Sequence, residues 1–331
     1  MAPDRRTLLL TRSEIRQLMP FSAYLPVIEE AFRLYATGRA LHPGLLHIDS
    51  IDGEFHIKAG GLELNRRYFA LKSNGGFFGN AERHGLPNIQ GLIVLADGST
   101  GSPLAVMDSG EITMKRTGAA AAVAARYLAR PESSRVTICG CGVQGQVQLE
   151  AMQAAFPLQA AFAYDVDHTK AQAFAREMSS RLGTEVQAVH DLPAALRQTD
   201  ICVTCTPSRK FYVAKNDIAP GTFVAAMGAD SPEKQELDPE LLKSSKVVVD
   251  LLEQCAQVGE LHHAIDAGMS AKAVHAELGE IIAGRKPGRT SEQEIIVFDA
   301  TGTALQDVAA AAAVYEEAVR LRVGTYIDFF R

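Results

Sequence analysis

The stretch Arg135-Val136-Thr137-Ile138-Cys139-Gly140-Cys141-Gly142-Val143-Gln144-Gly145-Gln146 decides the fold of this chain. A short apolar run enters a turn that carries three glycines, and apolar residues at helical spacing follow it. In such a turn Gly140 allows the tight reversal, Gly142 lets the backbone approach a pyrophosphate, and Gly145 lets the helix pack closely on the strand. The helix N-terminus then faces the anion. The stretch therefore predicts a strand, a phosphate-binding loop and a helix.

A glycine-rich turn can also be purely structural, so the residues that follow have to decide between the two interpretations. A second apolar run, 160–164, ends in Asp165, where a carboxylate would accept hydrogen bonds from the adenosine ribose hydroxyls. The same carboxylate would repel the 2′-phosphate of NADP, and residues 166–168 offer no arginine to receive it. The sequence therefore predicts a site for NAD rather than NADP, with Val143 and Gln144 over the pyrophosphate.

Length and charge narrow the class of protein. The 331 residues suffice for about two domains, and a net charge of −6 gives no reason to expect nucleic acid or a membrane as partner. No apolar run is long enough to span a bilayer, so we expect a cytoplasmic enzyme that acts on small molecules.

The five cysteines form no regular framework, and Cys202 and Cys205 are interpreted as core residues. No metal site is predicted, because the adjacent His262 and His263 do not share a helix face.

The pattern along the chain predicts two domains of different type. From residue 135 onward, strand and helix patterns alternate, which is typical of a Rossmann-type doubly wound parallel sheet. Before it, alternating apolar residues and turn signals predict antiparallel strands and hairpins. A helix over 304–323 and a strand over 325–330 are expected to return to this first part. The prediction is an α/β nucleotide domain over 117–303 and a discontinuous α+β domain over 1–116 and 304–331.

Further short motifs, in this order, resemble the ornithine cyclodeaminase/mu-crystallin family, which includes archaeal-type alanine dehydrogenases and imine reductases. They are Ala70-Leu71-Lys72, Thr100-Gly101-Ser102-Pro103-Leu104-Ala105, Lys115-Arg116-Thr117-Gly118-Ala119-Ala120-Ala121, Gly140-Cys141-Gly142-Val143-Gln144-Gly145, Met227-Gly228-Ala229-Asp230 and Phe298-Asp299-Ala300-Thr301-Gly302. The resemblance implies that the discontinuous domain binds substrate and dimerises. It also implies a homodimer with the active site in the cleft between the two domains.

The resemblance also assigns roles to residues. Oxidising an amino acid, or reducing its imine, requires an oriented α-carbon, which a cationic clamp on the carboxylate provides. Lys72 and Arg116 would form that clamp. Asp230 would be the catalytic acid/base, and Lys72 is assigned to the catalytic residues as well. Alternatives from the residues alone are a solvated lysine at 72, a surface ion pair at 116 and a helix cap at 230. The positions assigned to cofactor contact are Asn88, Arg116, Thr117, Thr206, Met227 and Lys234.

The chain departs from the family at its first strands. The arginine expected near residues 43–45 is absent, His56 stands where cyclodeaminases carry an acid, and Lys58 occupies a neighbouring methionine position. A cluster of Lys58, Lys72 and Arg116 would suit a substrate with two carboxylates, or one compact acid. His56 is interpreted as a substrate-contacting proton relay or as a packed strand histidine.

These patterns together predict an NAD-dependent oxidoreductase that acts on the C–N bond of a small amino acid or its imine. One alternative is a cyclodeaminase, in which hydride is taken and returned, so that no reduced cofactor accumulates. Loss of the acid at position 56 argues against ornithine cyclisation. A second alternative is a cofactor-binding protein without catalysis, against which the joint presence of Lys72, Arg116 and Asp230 argues.

Overall fold

The computed structural model describes residues 6–77 and 79–329, which form two compact units. Unit 1 comprises residues 1–116 and 303–331, and unit 2 comprises residues 117–302. The chain passes from unit 1 to unit 2 in the middle of one long helix, and it returns to unit 1 just before a second long helix. The predicted divisions lie after residue 116, as in the structure, and after residue 303, one residue later than in the structure.

Seventeen strands are seen in the described part of the chain. They are β1 (Thr7–Leu10), β2 (Ala40–Ser50), β3 (Gly53–Glu63), β4 (Arg67–Gly76), β5 (Ile89–Asp97), β6 (Pro103–Asp108), β7 (Arg135–Cys139), β8 (Ala160–Tyr164), β9 (Glu185–Ala188), β10 (Ile201–Thr204), β11 (Arg209–Val213), β12 (Phe223–Ala226), β13 (Gln235–Leu237), β14 (Lys246–Val249), β15 (Ala276–Glu277), β16 (Ile296–Asp299) and β17 (Thr325–Ile327).

Twelve α-helices accompany them in the same residues. They are α1 (Arg12–Leu18), α2 (Phe21–Ala36), α3 (Asn80–His84), α4 (Ser109–Leu128), α5 (Val143–Ala155), α6 (His168–Leu182), α7 (Leu192–Leu196), α8 (Pro239–Lys243), α9 (Leu252–Val258), α10 (Glu260–Asp266), α11 (Leu278–Ile282) and α12 (Ala304–Leu321). None of them is both long enough and apolar enough to cross a membrane.

Unit 1 is built on a mixed seven-stranded sheet in the order β17-β1-β6-β5-β4-β3-β2. Strands β2 to β6 form the predicted antiparallel meander, and α12 packs on β3 and β4. The close approach of α12 to β3 depends on Gly60, where a Cβ would lie 3.2 Å from the Cβ of Ala304. β17 pairs with β1, which confirms the expected return of the chain, although Phe330 lies outside the described residues.

Unit 2 is an eight-stranded parallel sheet in the order β15-β14-β16-β12-β10-β7-β8-β9. The chain runs outward from β7 through β8 to β9, and then returns to place β10 on the other side of β7. This reversal creates a switch point between β7 and β10. In open parallel sheets, ligands bind beyond the carboxyl ends of the strands at such a point, and the glycine loop follows β7. The doubly wound fold predicted from the sequence is confirmed.

The bounds of two helices have local causes. α4 begins at Ser109, because the Asp108 carboxylate accepts the Glu111 N–H at 3.1 Å and caps the helix. α2 ends at Ala36, shortly before Gly38 takes a positive φ of 75° and β2 begins at Ala40. The short strands β11, β13 and β15 were missed.

Candidate active site

The glycine loop of unit 2 has the backbone geometry that its sequence predicts. Gly140 has φ of 107°, a left-handed conformation that favours glycine. A Cβ at Gly145 would lie 2.1 Å from the Gly140 carbonyl oxygen, so only glycine lets α5 approach the loop this closely. By contrast, a Cβ at Gly142 would meet no atom within 4 Å. The loop is therefore open to a ligand at the position where a pyrophosphate would lie.

The N-terminus of α5 offers donors to an anion at this opening. Gly142 is the N-cap and supplies no side-chain hydrogen bond to the first turn. The first N–H groups of a helix have no partner within the helix, and the helix dipole favours negative charge there. Gln144, in the first turn, has a buried side-chain oxygen without a hydrogen-bond partner among the described residues, but an amide oxygen only accepts hydrogen bonds. The backbone N–H groups of the first turn, rather than this oxygen, fit a dinucleotide phosphate.

Asp165 lies directly after β8, beside the loop. Its carboxylate accepts the Cys141 N–H at 2.9 Å and the Asp167 N–H at 3.0 Å. Each carboxylate oxygen can accept more than one hydrogen bond, so capacity remains for ribose hydroxyls. The residues present therefore fit NAD. All five cysteines are free thiols. Cys202 is buried, as expected for a core residue, whereas Cys205 is only partly buried.

Glu236, which was not predicted from the sequence, connects the loops that follow β10 and β12. This buried carboxylate accepts the Thr206 N–H and hydroxyl at 2.6 Å each, and the Gly228 N–H at 3.0 Å. Burial raises the pKa of Glu236, and the bonds from Thr206 oppose that shift. Glu236 thus fixes two loops at the carboxyl ends of neighbouring parallel strands. No sequence signal distinguished Glu236, because it lies among other polar and charged residues in the stretch 233–238.

Asp230 lies in the turn after β12, where its carboxylate is 2.5 Å from the Lys234 Nζ. The Asp230 side chain is 39% exposed, and that of Lys234 is 14% exposed. The residues after Asp230 form a turn that leads into β13, so its interpretation as a helix cap was wrong. Met227 ends this strand region with a backbone N–H bond to the Thr204 carbonyl at 2.9 Å.

In unit 1, a buried cluster of charges lies between the sheet and two helices. Lys58 on β3 and Lys72 on β4 are directly opposite each other, 5% and 2% exposed. Arg116 on α4 is 5% exposed, and Asp307 on α12 is 1% exposed. The Asp307 carboxylate lies 2.6 Å from the Lys72 Nζ and 3.1 Å from the Arg116 Nε. The interpretations of residue 72 as solvated and of residue 116 as a surface ion pair were both wrong.

The cluster carries an excess of positive charge. Burial lowers the pKa of Lys72 to about 7. The charges of Arg116 and Lys58 also lower this pKa, whereas the charge of Asp307 opposes the shift. Burial would raise the pKa of Asp307, but Lys72 and Arg116 outweigh it and hold that pKa below its ordinary value. When Lys72 is protonated, three cations surround one carboxylate, so the cluster is then suited to receive an anion.

Asp307 was not predicted from the sequence, although a signal was present. It is an acidic residue near the start of an alanine-rich apolar stretch, 304–314, a composition typical of a buried helix. Charged residues are rarely buried without a partner, so its position implied a buried cation. Gln306 beside it accepts a hydrogen bond from the Arg116 Nη1 at 2.7 Å.

The remaining predicted residues lie at other places in the two units. His56 is two residues before Lys58 on β3, and its Nε2 is 3.3 Å from the Glu54 carboxylate. Asn88 precedes β5 and its side-chain oxygen accepts the Ala81 N–H at 3.0 Å. Thr117, the first residue of unit 2, is buried within α4.

Comparison with known proteins identifies the family of this chain. The sequence profile described as the ornithine cyclodeaminase/mu-crystallin family matches residues 5–321. The chain belongs to this family. An alanine dehydrogenase of Archaeoglobus fulgidus is 42% identical to it, over 98% of this chain and 99% of that protein.

Solved structures of family members share the fold over nearly the whole chain. One, described as an archaeal alanine dehydrogenase dimer with bound NAD, has a TM-score of 0.93 at 42% identity and covers 98% of this chain and 100% of its own. The Δ1-pyrroline-2-carboxylate reductase of Thermococcus litoralis, in complex with NADH and L-proline, has a TM-score of 0.93 at 34% identity. It covers 97% of this chain and 100% of its own.

Proposed function

We propose that this chain interconverts a small amino acid and its imine, with NAD as redox partner. The buried Lys72 and Arg116 around Asp307 carry the proposal, because they form a cationic receptor for a carboxylate. The relatives that oxidise or reduce C–N bonds support the class of activity. The chain is an NAD-dependent oxidoreductase of the amino-acid dehydrogenase or imine reductase class.

NAD supplies or accepts the hydride when it is bound. We propose that Gly140, Gly142, Val143, Gln144 and Gly145 hold its pyrophosphate, because the loop is open at Gly142 and the helix N–H groups lack a side-chain cap. Asp165 would hold the ribose. Further contacts are proposed for Asn88, Arg116, Thr117, Thr206, Met227 and Lys234.

Lys72 and Arg116 would hold the substrate carboxylate. The guanidinium of Arg116 is oriented by its bonds to Gln306 and Asp307, which limits the entropy lost when it binds. Because both cations are buried, little water competes with the carboxylate, and the interaction is stronger than at the surface. Substrate held in this way presents a fixed face of its α-carbon.

Asp230 would supply and remove the proton on the substrate nitrogen. Reduction of an imine adds a proton to nitrogen for each hydride added to carbon, so a positioned acid is required. The Asp230 carboxylate is partly exposed and reaches solvent for proton exchange, while Lys234 fixes its position.

Steady-state kinetics of two variants test these roles. Loss of a charge-assisted hydrogen bond in Lys72→Met should cost about 1.5–3 kcal/mol in kcat/KM. Asp230→Asn should lower kcat by about 10²–10⁴-fold. Calorimetry should give unchanged NAD affinity for Lys72→Met, which separates substrate binding from cofactor binding. Full turnover in both variants would contradict the proposal.

We propose that Lys58 extends the receptor to a second carboxylate. With Lys58, Lys72 and Arg116 against Asp307, the cluster has a formal excess of two positive charges, which a dicarboxylate would neutralise. Lys58→Met should then raise KM for a dicarboxylic 2-oxo acid, and leave KM for a monocarboxylic one nearly unchanged. If a compact monocarboxylate uses all three cations, both KM values should rise. Unchanged KM for both would rule out any substrate contact by Lys58.

We propose that the chain forms a homodimer through the face of the unit 1 sheet opposite α12. This face exposes large apolar side chains, and a relative is described as a dimer. They are Leu46, Ile48, Phe55, Phe69, Leu71 and Leu92. Leu92→Glu should yield monomers in light scattering, whereas Val319→Glu on α12 should not. A cytoplasmic location remains a prediction from the sequence.

A further inference from the structure

A cluster of metal-ligand side chains lies on the hairpin formed by β2 and β3. His47 on β2 is directly opposite His56 on β3, and Asp49 is directly opposite Glu54. Residues two apart on a strand point to the same face. The four side chains therefore form a square on one face of the hairpin, two from each strand. A sequence pattern alone does not reveal this square, because it depends on the register between the strands.

The atoms of this cluster are spaced like ligands of one ion. The His47 Nε2 lies 3.7 Å from a Glu54 carboxylate oxygen, and the His56 Nε2 lies 3.3 Å from the other. His47, Glu54 and His56 each offer a ligand atom within 4.8 Å of the others. Bonds of about 2.0–2.1 Å to a tetrahedral ion place neighbouring ligand atoms roughly 3.3 Å apart. Small side-chain rotations would thus bring all three onto one ion.

Charge and ligand type select the ion. Two imidazoles with one carboxylate suit a divalent transition metal such as Zn²⁺, whereas Ca²⁺ and Mg²⁺ prefer oxygen ligands. Asp49, whose carboxylate is 3.0 Å from the His47 Nε2, adds a second negative charge at the open side of the cluster. Two carboxylates balance the two charges of the ion. The cluster side chains are 11–30% exposed, apart from Asp49 at 90%, so an ion could enter from solvent.

We infer that His47, Glu54 and His56 form a binding site for a divalent transition-metal ion of the zinc type, with Asp49 at its edge. Such an ion joins β2 to β3 and fixes the imidazole of His56, two residues from Lys58 on the same face. This inference departs from the sequence prediction of no metal, and it does not depend on the proposed redox activity.

Calorimetric titration of the full chain with Zn²⁺ alone, after removal of bound metal, tests the site. We expect one equivalent to bind and the melting temperature to rise with Zn²⁺. His47→Ala and Glu54→Gln should each weaken binding by roughly 100-fold or more, since even indirect partners of metal ligands contribute 10–100-fold. His42→Ala is the matched control, because His42 lies exposed on the same strand outside the cluster, and it should bind as the wild type does.

Two results would overturn the inference. One is the absence of saturable Zn²⁺ binding by the wild type. The other is binding that persists unchanged in His47→Ala and Glu54→Gln, which would place the ion elsewhere, for example on the free cysteines. Substitution with Co²⁺ separates these cases, because thiolate ligands give charge-transfer absorption that an imidazole and carboxylate site lacks. His47 and Glu54 are both partly exposed, so these variants should fold with the melting temperature of the metal-free wild type.

Discussion

Asp307→Asn is the substitution that tests the buried charge cluster most sharply. Asparagine has nearly the shape of aspartate, so the change removes a charge without leaving a cavity. Asp307 is 1% exposed and lies 2.6 Å from the Lys72 Nζ and 3.1 Å from the Arg116 Nε. Without it, two buried cations lose their counter-charge. Removing one partner of a buried ion pair costs about 3–5 kcal/mol, and we expect a loss of this size in the free energy of unfolding at pH 6.

The loss should depend on pH in a defined direction. The folded-state pKa of Lys72, about 7, is below its unfolded value of 10.5, so the unfolded chain binds more protons between these values and wild-type stability rises with pH there. Asp307 acts to raise the pKa of Lys72, and the variant should therefore release the Lys72 proton at lower pH. Above pH 7 Lys72 is neutral in both proteins, and only the contact with Arg116 remains to be lost. The destabilisation should be smaller at pH 9 than at pH 6.

Urea denaturation of wild type and variant at pH 6 and pH 9 measures both quantities. Asp266→Asn is the matched control, because that carboxylate is 70% exposed and its pair with His262 should contribute at most about 1 kcal/mol. A loss below about 1 kcal/mol at pH 6 would refute the reasoning, since it would fall within the range of surface pairs. Equal losses at both pH values would refute the role of Lys72 ionisation.

Three further predictions concern the nucleotide loop, the cofactor choice and a helix cap. Gly142→Ala should change the stability of the cofactor-free chain by no more than about 0.5 kcal/mol, because the added Cβ meets no atom within 4 Å. The affinity for NAD, measured by calorimetry, should nevertheless fall. Unchanged affinity would contradict the assignment of the loop to the pyrophosphate. Asp165→Ser should raise the ratio of NADP to NAD turnover, since apposed like charges cost several kcal/mol, and a constant ratio would exclude that role. Thr11→Ala should lose about 1 kcal/mol of stability with its capping box to Glu14, whereas Thr11→Ser should retain it in thermal unfolding.

The parts of the fold that depend on local pattern could be predicted from the sequence. The strand, loop and helix around Gly140, Gly142 and Gly145 follow from backbone requirements that operate within a dozen residues. The alternation that follows them implied the parallel sheet, because each strand and helix shows its own periodicity. Strands as short as β15, with two residues, have no period to detect.

The parts of the site that depend on long-range packing could not be predicted in this way. Asp307 meets Arg116 across 191 positions of sequence, and it does so only because α12 returns to pack on unit 1. Glu236 acquires its function because it joins two separate loops. The resemblance to the family supplied positions such as Asp230, but neither of these two acids.

The measurement that tests the central claim most directly is nicotinamide absorbance of the purified protein with candidate substrates in both directions. In the direction of oxidation, the panel contains amino acids, each tested with NAD. In the direction of reduction, it contains 2-oxo acids with ammonia or methylamine, and cyclic imines, each tested with NADH. We predict turnover with one substrate class, with oxidation or reduction of the cofactor in proportion to product. If no substrate in the panel changes the nicotinamide absorbance, while NAD still binds in calorimetry, net oxidoreduction would be contradicted. Product masses with diamine substrates would then separate a cyclodeaminase from a protein that only binds the cofactor.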